Sequence, residues 1–342
     1  METMNPADRN DAATGRMPDS AVTLLRRLAR LRASGLIWVL LIMCAVAALV
    51  SDAFLNPFNL VNVLRQIALF GIVSIGMTFV ILTAGIDLSI GSIVAVVAVV
   101  SAMMLDSGTP IPVVILAGLA IGTALGAING AGITLGRIPP FIMTLGTMVM
   151  GRGLAMTISD GHPIHFREEA ASFAWLGQGH ALGIPVPVWI FAIVAAAAAG
   201  ILRYTAFGRN VYAVGSNAEA ARLSGISVGG TVFIVYLISG LLSGLTALIF
   251  ISRLTVGEPV AGVGLELEAI AITVIGGTSL FGGEGSVSGT ILGAAIIAVL
   301  ANILNLFGVS PFTQQIVKGA IIVAAVLFEM TRRKRNSAAL RG

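Results

Sequence analysis

Charge is what this sequence has least of. Only 11% of its 342 residues are Asp, Glu, Lys or Arg, against about 25% in an ordinary soluble domain, which excludes a soluble globular fold. Cysteine is almost missing too: the single Cys44 lies in an apolar stretch, so no intrachain disulfide can form and the thiol reads as a small core residue. Catalytic signatures are lacking. The chain has no Walker loop, no G-x-S-x-G elbow and no H-E-x-x-H pair. His162 and His165 sit three apart, but Pro163 lies between them and no third ligand accompanies them, so no metal site is expected. Glu168 and Glu169 read as a solvated face. No short apolar region with a small-residue cleavage site precedes the first long apolar run, so no signal peptide is expected.

What the chain does have is hydrophobic residues, 57% of the total, with a mean hydropathy of +0.99. Apolar stretches of about 20 residues, enough to cross a bilayer, recur from Leu36 almost to the C-terminus. The fold class is therefore all-α, a polytopic transmembrane bundle. Spans are expected at 36–53, 62–83, 88–105, 111–135, 139–158, 185–202, 230–250, 268–281, 287–307 and 313–330, about ten in all. The 268–281 span is short and rich in glycine, and is the weakest of them.

Arginine placement explains the pI near 9.8 better than a nucleic-acid partner does. Residues 1–35 are polar, then basic ("LLRRLARLRASG"), and read as a disordered tail with a juxtamembrane segment held in the cytoplasm. With the N-terminus inside, the outer loops collect Asp52, Asp106, Asp160, Glu168, Glu169, Glu258, Glu266 and Glu268 against only Arg167 and Arg253, whereas Arg137, Arg203, Arg209, Arg222 and the basic tail 331–342 fall inside. An even number of spans also returns the C-terminus to the cytoplasm. The result is one integral membrane domain, 36–330, with an outer loop at 159–184 that holds all three histidines and an inner loop at 203–229. In the inner loop Asn217 can cap a short helix through Leu223, which Gly225 can end.

A chain built this way suggests transport, with intramembrane polar groups marking the path. Candidates for a pathway or gate are Asp87, Ser89, Arg152, Asn129, Thr144, Asn302 and Asn305; Gln66, Thr147, Gln314 and Gln315 complete the polar set. No span carries the several coupled acids of a proton relay. Glycine, at 41 residues, adds a second signal. Most glycines, such as those of "GLAIGTALGAINGAG" (118–132), sit at helix-packing spacing. Two clusters instead interrupt helices, "AGIDLSIGS" (84–92) and "GGTSLFGGEGSVSG" (276–289), and freed backbone at membrane depth is tolerated only against protein or a water-filled cavity. In the first cluster Ser89 and Ser92 can cap the third helix with Asp87 near its positive end, while Gly85 permits a turn and Gly91 a close neighbour. A buried cap and a polar station that handles a solute's hydroxyls are both open readings.

Three motifs, "LTAGIDLSIGS", "GRNVYAVGSNAEAARLSGI" and "ELEAIAITVIGGTSLFGGEGSVSGTILGA", stand in an order and spacing that resembles the ribose-type permeases of ATP-binding-cassette (ABC) importers for monosaccharides. The likeness runs from Trp38 to Glu329, with "TLGTMVMGRGLAMTISDGHPI" (144–164) resembling that family's fifth-helix segment. Leu265 stands where the family often has an aromatic residue. The resemblance implies a vitamin-B12-permease-like (type II importer) architecture in a bacterial inner membrane. It also implies a homodimer, a cytoplasmic ATPase with two nucleotide-binding halves, and a periplasmic sugar-binding protein. ATP and Mg would bind that ATPase, and no cofactor would bind this chain, which is then not an enzyme. Coupling to the ATPase would fall to Arg209, Asn210, Gly215, Asn217, Glu219, Ala220 and Arg222. The alternatives are an ABC permease for a nucleoside, branched-chain amino acid, autoinducer or polyol, an ion-coupled secondary transporter, and a non-transporting membrane scaffold.

Overall fold

The computed structural model describes residues 19–167 and 172–339; the acidic pair Glu168 and Glu169 lies outside them. Among the described residues there are thirteen helices and two small β pairs. The helices are α1 (Asp19–Val50), α2 (Pro57–Leu82), α3 (Ile90–Asp106), α4 (Ile111–Thr134), α5 (Pro140–Ile158), α6 (Trp175–Gln178) and α7 (Val186–Tyr204). They continue as α8 (Ala206–Ser216), α9 (Ala218–Leu223), α10 (Val228–Leu254), α11 (Leu265–Ile275), α12 (Val287–Leu306) and α13 (Pro311–Ala339).

Six of these, α2, α4, α5, α7, α10 and α12, are long and apolar enough to cross a membrane, and two shorter apolar helices are Gly35–Val50 within α1 and α3. The span expected at 268–281 takes a different form. α11 has 11 residues, about 16 Å of helix against a hydrocarbon core of about 30 Å, and the glycine-rich stretch from Gly276 to Ser286 follows it as turns.

Helix starts follow local chemistry. Pro57, Pro112, Pro140 and Pro187 sit in the first turns of α2, α4, α5 and α7, where a missing N–H costs nothing. Asn56 caps α2 by accepting from the Phe58 N–H, and Ser286 caps α12 by accepting from the Gly289 N–H at 3.1 Å.

The centre of the bundle is the second half of α2 and nearly all of α3, whose Val, Ile and Ala are buried on every side; a helix apolar all round belongs in the interior. α10 closes over them and crosses α4 along a glycine seam. A Cβ at Gly122 would lie 2.5 Å from the Gly240 carbonyl oxygen, and one at Gly126 would meet the Tyr236 carbonyl. Small residues thus bring the two backbones into contact. The outward faces are apolar, with Leu116, Val149, Met150 and Ile316 exposed, as helices solvated by lipid require.

At the end of α10 the segment after α5 is pinned by strand pairing, Ile164 opposite Gly257 and His165 opposite Val256. A second pair forms a hairpin, with His180 opposite Pro185 and Ala181 opposite Ile184. Ser252 Oγ accepts from the Gly177 N–H and donates to the Phe173 carbonyl, fixing α6 onto α10.

Candidate functional site

Residues 83–89 join α2 to α3 and form the first interruption. α2 ends where the Gly85 N–H turns back to the Val80 carbonyl, and Ala84 takes a left-handed backbone (φ 59°), which is uncommon for a residue with a Cβ. The turn therefore falls on Ala84, not on Gly85. Gly85 serves a close approach instead: a Cβ there would meet Tyr236 Oη at 2.8 Å.

The chain then runs inward before α3 begins. Ser239, which contacts Asp87, lies eleven residues after the start of α10, about 16 Å along it. Asp87 is therefore held inside the bundle. It is fully buried, and both its oxygens are occupied. Oδ1 accepts from the Ser89 N–H at 3.0 Å and Ser89 Oγ at 2.6 Å, while Oδ2 accepts from Ser239 Oγ at 2.7 Å. The carboxylate thus closes an Asx-type turn at the positive end of α3.

Ser89 stands at the N-cap position of α3 without making a side-chain cap bond. Its hydroxyl is committed to Asp87 and accepts from Asn129 Nδ2 at 2.8 Å. Ser92 likewise turns its hydroxyl back to the Ser89 carbonyl rather than capping. The network continues through Asn129 Oδ1, which accepts from Thr147 Oγ1 at 2.6 Å. The Ile86 carbonyl accepts from Tyr236 Oη at 3.1 Å and from Thr144 Oγ1 at 3.3 Å. Five elements, the break itself with α3, α4, α5 and α10, meet in one buried polar knot.

Asp87, Ser89, Asn129 and Thr144, four of the candidates for a pathway or gate, are thus brought together. Ser239 and Tyr236 were not legible, because a single hydroxyl on a long apolar helix gives no signal of where it points.

Arg152 lies elsewhere. Its Nη1 donates to the Pro259 and Ala261 carbonyls at 2.7 and 2.8 Å, fastening the irregular segment 258–264 that leads into α11. That segment and the first turn of α11 press on α3 at Gly91, where a Cβ would lie 2.5 Å from Glu266 Oε2. Asn302 forms a reciprocal amide pair with Asn59, its Oδ1 accepting from Asn59 Nδ2 at 3.0 Å, and so joins α12 to α2. Asn305 is exposed near the end of α12.

Two charges escaped the sequence reading although both lie inside spans it drew. Lys318 of α13 pairs with Glu268 of α11, and Arg65 of α2 donates to the Gln178 carbonyl at 2.8 Å. Scanning each span for any charge would have found them.

Residues 203–229 form the other candidate region. Thr205 caps α8 by accepting from the Gly208 N–H at 3.1 Å. Asn217 caps α9, its Oδ1 accepting from the Glu219 and Ala220 N–H groups, each at 3.0 Å. Past its end the Gly225 N–H bonds to the Arg222 carbonyl at φ 82°, as the sequence suggested. Of α9 only Ala221 is buried. Glu219, Ala220 and Arg222 are exposed, Glu219 pairs with Arg222, and Leu223 is 82% exposed. Arg209 is exposed and Asn210 half-buried on α8. Behind this face Tyr212 Oη donates to the Gly285 carbonyl at 3.0 Å, and burial pushes its phenol above the usual range.

Comparison with known proteins shows the family of this chain. The family model described as "Branched-chain amino acid transport system / permease component" matches residues 59–326. A ribose import permease protein RbsC from Haemophilus influenzae is 47% identical over 290 residues, covering 84% of this chain and 90% of that protein. The Bacillus subtilis protein of the same name is 45% identical over 298 residues, 87% of this chain and 92% of its own. An L-arabinose ABC transporter permease protein from Azospirillum brasilense is 35% identical over 329 residues, 95% and 96% of the two chains. No solved structure matches the chain. With a helical membrane architecture, and relatives aligned over most of its length, the chain belongs to the family of permease components of branched-chain amino acid type transport systems.

Proposed function

We propose that this chain is the membrane-spanning permease subunit of an ATP-driven importer that carries a monosaccharide, ribose or a similar pentose, across a bacterial inner membrane. The observation that carries the reading is the likeness to ribose and arabinose permeases over 84–95% of the chain. In this reading the chain crosses the membrane about ten times. The six long apolar helices are joined by the apolar part of α1, by α3, by α13, and by α11 with its glycine-rich turn. Both termini and the α8–α9 loop lie in the cytoplasm, which puts Arg203, Arg209 and Arg222 on the basic side. The architecture is of the type II importer kind, two copies form the pathway between them, and a sugar-binding protein delivers the solute from outside.

ATP is hydrolysed on a separate subunit with two nucleotide-binding halves. Its docking element here is α9, short, capped at both ends and exposed on all but one residue. The Glu219–Arg222 pair within α9 is exposed, and such pairs contribute about 1 kcal/mol or less, so either side chain is free to exchange partners on docking. In this reading the Asp87 knot holds the first helix break in shape and does not handle solute, because the carboxylate is fully buried and both its oxygens already accept from serine donors. Glu219→Lys should weaken capture of the ATPase by roughly 1–3 kcal/mol if the partner contact is desolvated. Co-purification with the ATPase, wild type against variant, measures this; equal capture would remove α9 from the interface. The family description favours a second reading, a branched-chain amino acid as solute, which the same complex tests by competition between leucine and ribose.

A further inference from the structure

The two helix breaks lie about two hundred residues apart in sequence but meet backbone to backbone. The Gly283 N–H donates to the Leu82 carbonyl, the last of α2, at 3.0 Å. Gly282 and Gly283 hold left-handed backbones (φ 81° and 73°), and a Cβ on Gly282 would lie 2.9 Å from the Ala84 nitrogen. The last turn of α8 is wedged against this meeting point. A Cβ on Gly215 would overlap the Leu82 carbonyl oxygen and lie 2.6 Å from the Gly283 nitrogen, while Gly283 abuts Ser216. Tyr212, one turn earlier, donates to the Gly285 carbonyl at 3.0 Å. One residue beyond Ser216, Asn217 begins α9.

We infer that the last turn of α8, through Gly215 and Tyr212, is a transmission joint that couples the position of α9 to both helix breaks at once. This rests on the importer reading above. Close packing transmits displacement because packed backbones have no slack, and here one turn of helix touches the end of α2 and the glycine-rich turn before α12 together. From Leu82 the path to Asp87 is five residues, with the Ile86 carbonyl tied to α5 and α10. A shift of α9 would therefore reach the polar knot without a flexible link in between. Gly215 and Tyr212 are positioning residues and touch no solute.

The test uses the full chain in complex with its ATPase, in liposomes, with Cys44→Ala and Thr83→Cys as background. Maleimide labelling at residue 83 is measured with and without ATP plus orthovanadate. The labelling rate should change with nucleotide in this background. Gly215→Ala and Tyr212→Phe should shrink that change by between about twofold and thirtyfold, the range found for mutations along coupled networks, with ATPase capture unchanged. If Gly215→Ala does not assemble, Tyr212→Phe decides alone, since it removes one hydrogen bond and adds no bulk. An unchanged nucleotide response in Tyr212→Phe, or no response in the background protein, would overturn the joint. Failure of any ATPase to co-purify would instead overturn the importer reading.

Discussion

Asp87 is a fully buried carboxylate with three donors and no cation among its hydrogen-bond partners, so its removal and its neutralisation should differ sharply. Asp87→Asn keeps an oxygen toward Ser89, and the Ser239 hydroxyl can rotate to accept from the new amide. The change then removes mainly the charge–dipole contribution, about 0.3–1 kcal/mol and up to about 2 when buried. Asp87→Ala leaves three donors, the Ser89 N–H and the O–H groups of Ser89 and Ser239, without their acceptor, at about 1–3 kcal/mol for each. Uptake normalised to assembled complex should stay near wild type for Asp87→Asn, while Asp87→Ala should accumulate poorly. An Asp87→Asn protein that assembles normally yet does not transport would show that the carboxylate acts in the pathway. Arg152 gives a second case: Arg152→Leu should insert normally but free 258–264, losing two charge-assisted bonds at about 1.5–3 kcal/mol each. Hydrogen exchange at Val260–Val263 should rise by at least about tenfold, the equivalent of about 1.4 kcal/mol; protection equal to wild type would mean the clamp is dispensable.

Among the elements, the glycines divide by what a methyl group would meet. Gly240 faces the Gly122 carbonyl across the α4–α10 seam, whereas Gly146 on α5 has nothing within 4 Å. Gly240→Ala should destabilise the protein by about 1–3 kcal/mol, the usual range for overpacking, and lower its melting temperature in detergent. Gly146→Ala should leave it unchanged or slightly higher, since alanine is the better helix former. Equal melting temperatures for the two variants would mean that the seam relaxes freely. The same elements show what the sequence made legible. Long apolar runs set the helices, and Asn217 with Gly225 set α9 nearly to the residue, because capping is local chemistry. The end of α11 at Ile275 and the depth at which α3 begins were not legible. Hydropathy averages over a window and cannot see a short helix continued by irregular backbone. In the site, an acid in an apolar sequence announced itself, but Ser239 as its partner depended on the rotation of α10, which only packing fixes. Arg152 was visible as a charge, while its carbonyl partners lay in a loop with no pattern to read.

At the scale of the whole molecule, a buried centre of α2, α3 and α10 is interrupted between α2 and α3, the glycine-rich turn between α11 and α12 packs against that break, and an exposed capped helix is positioned beside both. Such a body can respond to a partner that docks on one face and moves it, and it has no motif with which to hydrolyse ATP itself. The central claim is thus energetic as much as structural: solute movement should be driven from outside this chain. The most direct measurement is uptake of radiolabelled ribose into proteoliposomes holding the chain and its ATPase, with the sugar-binding protein present. The account predicts accumulation above the external concentration only when ATP reaches the ATPase and the binding protein is loaded, unaffected by collapsing ion gradients. Accumulation by the chain alone, driven by a proton or sodium gradient, would contradict it.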